Sequence, residues 1–443
     1  MGRNKETQKG HVSLGQILAW NTRPISLGAV TIIIGYLSLF CTDYLKMPAV
    51  LVGTLLLASK IVDGITDLVA GWLVDNTHTR LGKGRPYELS LIGVWICMWA
   101  LFGGSASWSL SIKCVWIFIM YTLVFSVFST LLNAAETPYI IRAFKDPLAV
   151  AKVSAYGGIF VTIGCLVVSI SFPMIIAGLT DVTGWRKAMA MYAVPLVLIG
   201  LIRFIFVKEK QDDVDEKKDE KVSIKEMLDV IFHNKYVWFF AVATALPQMI
   251  TAMAAGSYYF KWIYGNVGTY GSIQGIGMLA LIIMFIFPTL MKKYSPMQLV
   301  GGCAVLGIVG YLLNFVAGTN YPLLAIGFLL SGIASLPAAY MRSPIVMQIS
   351  DYNESVGKAR LEGTMGSVSN FVNKIASGIG SFLVGAMLSA GGYQGDMAIQ
   401  SDKALMMIRL LYSIVPAILM VATILCSVGF HPLDKMNLNS KTE

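Results

Sequence analysis

Charge is what this sequence has least of: Asp, Glu, Lys and Arg make up 13% of its 443 residues, about half the share of an ordinary soluble domain. Acids are scarcest, 25 against 34 bases. The resulting +9 does not imply nucleic acid, because the cations sit in short clusters between apolar runs and not along one face. Histidine is nearly absent: His11, His78, His233 and His431 lie far apart in loops or tails. Cysteine occurs six times, as Cys41, Cys97, Cys114, Cys165, Cys303 and Cys426, each alone inside an apolar segment, with no CxxC and no nearby His pair. Neither a metal cluster nor a nucleophile constellation is therefore expected, which argues against a membrane enzyme and against any cofactor. The first twenty residues are polar and carry no signal-peptide core, so the first apolar segment is expected to stay in the protein.

What is abundant is apolar surface, 56% of residues, more than one soluble core could hide, so lipid must cover the rest. Runs long enough to span, about 20 residues, fall near 25–42, 50–74, 88–108, 113–136, 153–178 and 187–207. Six more fall near 237–258, 269–291, 298–317, 322–347, 364–389 and 405–429. Between the halves, Lys208 to Lys235 is first highly charged and then shows helical apolar spacing at Ile224, Met227, Leu228 and Ile231, a solvated linker ending in an interfacial helix. The pattern is that of an all-α membrane protein, with one six-helix bundle over 1–207, a linker over 208–235 and a second bundle over 236–443.

Short-loop cations orient it. Arg80, Lys83 and Arg85, then Arg142, Lys145 and Lys152, then Lys292 with Lys293, and Lys358 with Arg360, all fall on the linker's side. The opposite loops carry scattered cations such as Lys46, Lys113 and Lys261. Both termini are expected in the cytoplasm, with the chain in the cell membrane. RLGKGRPYELSLIG after the second run faintly echoes KKYSPMQLVGG after the eighth, a sign of duplication. Two such halves match the major facilitator plan, in which bundles rock about a midplane site. A monomer suffices for that plan.

A few charges stand where lipid should be. Asp63 and Asp67 in the second run are four apart, so they share a helix face, and each costs about 2.5–3.5 kcal/mol at a helix centre. With the Thr66 hydroxyl they supply hard oxygens for Na⁺, or hold one proton between two like charges; pairing with basic residues for folding or gating is the alternative. Lys374, about ten residues into the eleventh run, is the natural counter-charge. Arg342 lies about 13 Å deep at helical rise; it either anchors an anionic substrate or is neutralised by Glu136. Asp351, Glu354, Lys358, Arg360 and Glu362 form a polar loop or a cytoplasmic gate against Arg80, Lys83 or Arg142. Trp20, Tyr36, Tyr121, Tyr156, Trp262 and Tyr340 are either packing residues or stacking faces for a sugar ring.

From VGTLLLASKIVDGITDLVAGWLVDNTHTRLGKGRPYEL onward the sequence resembles the glycoside-pentoside-hexuronide:cation symporters, the family of the melibiose permease. The likeness rests on the Asp pair spaced by four, the G-W-x-V-[DN] helix end, the R-x-G-K-x-[KR]-P loop and the DYNE…EG…NK run, and it covers both halves. It implies a cation site at Asp63, Thr66 and Asp67, a coupling lysine at Lys374 and an inner-gate acid at Glu362. The family's sugar-binding positions on helices 1, 4 and 5 fall at Leu27, Thr130 and Gly157, with Asn133 as the alternative on helix 4. That sugar set is incomplete here. Leu27 and Gly157 would leave an apolar, roomy pocket.

The resemblance implies Na⁺- or H⁺-coupled symport of a sugar or glycoside by alternating access, with Thr130, Asn133, Glu136, Tyr156 and Arg342 as candidate substrate contacts. A uronide or another anionic or non-sugar solute is the first alternative. A solute sensor that keeps the fold without transporting is the second.

Overall fold

A computed structural model describes residues 12–144, 147–209, 234–291, 293–358 and 362–439. The described residues are helical throughout, apart from connecting turns and one isolated bridge between Thr79 and Gly82. They group into two compact units. The first holds α1 (Leu14–Ile34), α2 (Ala49–Asp75), α3 (Ser90–Leu101), α4 (Leu110–Phe144), α5 (Pro147–Ile176) and α6 (Val182–Phe206). The second holds α7 (Lys235–Trp262), α8 (Gly268–Leu290), α9 (Pro296–Ala317), α10 (Tyr321–Ser355, interrupted at Met341), α11 (Glu362–Ala390) and α12 (Asp402–Leu433). Residues 210–233, most of the charged linker with its expected interfacial helix, lie outside the described residues.

Among the described residues nine helices are long and apolar enough to cross a membrane. Two further spans depart from a plain apolar α-helix: α3 is short and preceded by a 3₁₀ turn at Arg85–Leu89, and α8 passes through a 3₁₀ segment at Met278–Ile286, whereas α5 is one continuous helix over Pro147–Ile176. α10 also differs from the unbroken run expected over 322–347. Pro344 has no N–H to give the preceding turn, and the helix restarts at Arg342.

Helix pairing repeats between the units. In each, the first helix packs on the fifth and sixth, the second on the fourth, and the third on the fourth and sixth, which is what a duplicated six-helix plan requires. Small residues allow the close approaches, as lipid supplies no hydrophobic force between helices: a Cβ at Gly310 of α9 would lie 2.6 Å from the Gly327 carbonyl of α10. An aromatic core of Phe40, Phe102, Phe172 and Trp185, centroids 5.1–6.1 Å apart, closes one end of the first unit. On the periphery large apolar side chains stay exposed, Val194 at 61% and Phe206 at 71% among them, as expected of a lipid-facing surface.

Candidate functional site

The site is built where α2 meets α4. Asp63 and Asp67 fall on one stripe of α2, Asp63 buried at 4% exposure and Asp67 exposed. Opposite them, α4 loosens into a π-helix over Leu123–Ser129. Each π-turn adds a residue to the helical repeat and re-aims the side chains beyond it. Thr130 comes directly after this π-helix, and its hydroxyl lies 3.1 Å from both Asp63 Oδ1 and Asp67 Oδ1 and 3.0 Å from the Phe125 carbonyl, which also accepts from the Thr130 backbone N–H. Two carboxylates thus converge on one hydroxyl, with the Thr66 hydroxyl a turn away donating to the Asp63 carbonyl at 3.1 Å.

Lys60 joins them from one turn before Asp63; in sequence nothing sets it apart from any other interior lysine that needs a partner. Its ammonium lies 3.6 Å from Asp63 Oδ2, 4.2 Å from the Phe125 ring centroid and 5.6 Å from that of Tyr121, so one carboxylate and two aromatic faces share it. The arrangement offers oxygens of two acids and two hydroxyls beside one amine. All of these donors but the amine are hard oxygens, which can meet a hard cation or a proton.

The other candidates are distributed differently. Thr130, expected among substrate contacts, lies instead between the two carboxylates. Asn133, one turn further along α4, is exposed. Glu136 is not in need of Arg342: its carboxylate meets Arg203 Nη2 at 2.8 Å and pairs with Arg23. Arg342, in the second unit, donates from Nη2 to the Gly366 carbonyl at 2.9 Å. Lys374 is half-buried on α11. Trp20, Tyr36 and Tyr121 are buried, so none of them offers a free stacking face, and the Trp262 indole N–H donates to Tyr393 Oη at 2.7 Å. The side chains of Tyr156, Tyr340 and Glu362, and Arg360 entirely, lie outside the described residues.

The expected roomy pocket at Gly157 is not there. Buried Asn21 of α1 presses on that glycine so closely that any Cβ would collide with its amide; Asn21 is held by the carbonyls of Ile17 and Val153 at 2.8 and 3.2 Å. Gly157 is the flat seat for a buried polar side chain, not a vacancy for solute.

Two charge networks join residues that are far apart in the sequence. Arg23 of α1, Arg203 of α6, Glu88 before α3 and Glu136 of α4 form a square of alternating sign. Glu88 Oε1 lies 3.6 and 3.5 Å from the two arginine Nε atoms, and the Arg203 guanidinium stacks 3.2 Å from the Trp20 ring centroid. Arg23, Arg203 and Glu88 are at most 3% exposed, whereas Glu136 is 33% exposed. The one signal in the sequence is a lone acid or a lone base inside an apolar run, since each demands a counter-charge.

The second network pins the loop after α2. Glu209 accepts from the backbone N–H of Lys83, Gly84 and Arg85 at 2.9, 3.0 and 3.0 Å and pairs with Arg142 at 3.5 Å. Gly84 lets this loop touch α4, since a Cβ there would lie 2.6 Å from Tyr139 Cβ. Arg85 adds two bonds to the Phe204 carbonyl. In sequence Glu209 belongs to a solvated charge run; the loop that folds onto it is 124–126 residues away. Of the expected gate residues, Lys83 is buried and Arg80 exposed in the first unit, while Asp351 and Glu354 are exposed in the second. Glu209→Ala strands three N–H groups and a cation, so it is expected to destabilise the first unit by about 3 kcal/mol, read as a lower unfolding temperature in detergent.

Known proteins match this arrangement over nearly its whole length. The family described as MFS/sugar transport protein matches residues 27–435. The isoprimeverose transporter of Lactiplantibacillus pentosus is 28% identical over 398 residues, covering 86% of this chain and 81% of its own. A putative sulfoquinovose importer of Escherichia coli (strain K12) is 27% identical over 413 residues, 90% of this chain and 86% of that one. In fold, the nucleoside transporter NupG superposes with a TM-score of 0.62 at 13% identity, over 95% of this chain and 98% of that one. A bacterial homolog of the human lysosomal transporter Spinster superposes with 0.63 at 14%, over 95% of each. With a matching family profile across both bundles and relatives aligned along most of their length, the chain belongs to the MFS/sugar transport protein family, in keeping with its resemblance to the glycoside-pentoside-hexuronide:cation symporters.

Proposed function

We propose that the protein carries a sugar or glycoside across the cell membrane, both termini in the cytoplasm, by symport with Na⁺ or H⁺. The convergence of Asp63, Asp67 and the Thr130 hydroxyl carries this proposal: it gathers oxygens about two acids that a bilayer tolerates only when neutralised. A cation held there cancels repulsion between the carboxylates and raises solute affinity by linkage. Lys60 is the nearby counter-charge when the cation leaves, and Lys374 keeps the coupling role that the family likeness implies. Alternating access then moves both cargoes together.

A sugar-like solute is supported by what the relatives are named for. An anionic solute is less well supported than the sequence suggests, because Arg342 donates to a backbone carbonyl and Glu136 is held by two arginines. Asn133, exposed one turn from the cation site, is the leading substrate contact on α4.

The test is uptake into proteoliposomes under imposed Na⁺ or proton gradients. Thr130→Ala is expected to raise the cation concentration for half-maximal uptake by about tenfold while leaving the fold intact. Equal uptake with and without either gradient would remove the coupling. Solute binding without flux under any gradient would make the protein a sensor.

A further inference from the structure

An apolar groove of about 430 Å³ runs between α3 and α6 in the first unit. Trp95, Ile96 and Trp99 form one wall, and Ala190, Val194 and Leu198 the other. Trp95 is its floor, 1% exposed, with its indole N–H turned away to Ser26 Oγ at 2.8 Å, so the groove meets only the ring. Among the described residues no polar side chain lines it, so it does not suit a hydroxyl-rich solute. Its walls are among the most exposed apolar surface of the chain, Ile96 at 59% and Leu198 at 64%.

One end of the groove is different. The α6 wall recurs at 190, 194 and 198, and one turn back along the same stripe stand Arg186 and Lys187, both exposed. Arg186 Nη2 donates to the Gly103 carbonyl at 2.6 Å, which ties the head of α6 to the loop after α3 at the groove's mouth. Trp99 lies beside it, 42% exposed, as an aromatic at a membrane interface would. From Ala190 to Leu198 the groove runs about 12 Å at helical rise, most of the roughly 15 Å depth of one leaflet's hydrocarbon.

We propose that this groove binds a phospholipid with an anionic headgroup, one acyl chain lying over Trp95 and the phosphate beside Lys187 and Arg186. The apolar walls select a chain, and the cations at headgroup level select charge. The site is independent of solute and coupling ion.

Full-length protein in vesicles containing brominated phosphatidylglycerol or brominated phosphatidylcholine tests it, through quenching of the fluorescence that a Trp99→Phe control lacks. Phosphatidylglycerol is expected to reach half-quenching at a mole fraction about fivefold or more below that of phosphatidylcholine. Lys187→Gln is expected to shift that midpoint about fivefold upward, and Ala190→Phe, which fills the groove, to weaken quenching by both lipids. Identical curves for the two lipids, or an unmoved midpoint in Lys187→Gln, would overturn the proposal and leave the groove bathed in bulk lipid.

Discussion

Asp63→Asn is expected to abolish cation-driven accumulation of solute while leaving solute exchange between equal concentrations in place. Asp63 is the buried member of the pair, sharing Thr130 with Asp67 and lying 3.6 Å from Lys60. An amide keeps the shape but removes the charge that holds a cation. Uphill transport then has no second flux to draw on, so the accumulation ratio falls to about one at any imposed gradient. Asp67→Asn should act in the same direction but leave residual accumulation, since Asp67 is exposed and water can share its cation. The measurement is the steady-state ratio of internal to external solute beside the exchange rate in the same vesicles. If Asp63→Asn still accumulates solute with unchanged ion dependence, the cation site lies elsewhere.

The buried charge square carries the other large effect. Arg203→Met leaves Glu88 and Glu136 facing Arg23 alone, one negative charge in excess among helices α1, α3, α4 and α6. Breaking a buried pair by removing one partner costs about 3–5 kcal/mol. Arg203→Met is therefore expected to lower the unfolding temperature in detergent more than any change at Asn133 or Arg342. Arg203→Met combined with Glu88→Gln restores neutrality and should recover most of the loss, as replacing a whole buried pair is often close to neutral. If the double variant is as unstable as the single one, the square matters for shape and not for charge balance.

The fold is legible in the sequence because a bilayer demands local self-sufficiency. Each spanning helix satisfies its own backbone, so an apolar run of about 20 residues announces itself without knowledge of its neighbours. The departures come where local pattern and backbone chemistry disagree. The run at 322–347 is uniformly apolar, yet Pro344 interrupts the hydrogen-bond ladder and α10 breaks at Met341. The stretch at 113–136 has no feature that distinguishes a π-turn from an α-turn, yet that turn re-aims Thr130.

The site divides the same way. Asp63, Thr66 and Asp67 lie within about one turn of a single helix, and their common face comes from 3.6 residues per turn. Thr130 joins them from 63 to 67 positions away, and the Asn21 that closes the space at Gly157 arrives from another helix altogether. Glu209 shows how far composition misleads: a carboxylate in a charged run looks solvated until a distant loop turns three N–H groups toward it.

By itself the amino-acid sequence determined that this is a membrane protein of two six-helix halves with an acid pair inside the second helix, because hydropathy and helical spacing are properties of neighbouring residues. Only the tertiary structure decided which groups meet that pair, how four charges cancel between helices, what holds the loop after α2 and where an apolar groove ends in cations. Those are contacts between separate helices, fixed by packing and charge neutralisation in a medium that leaves no buried charge unanswered.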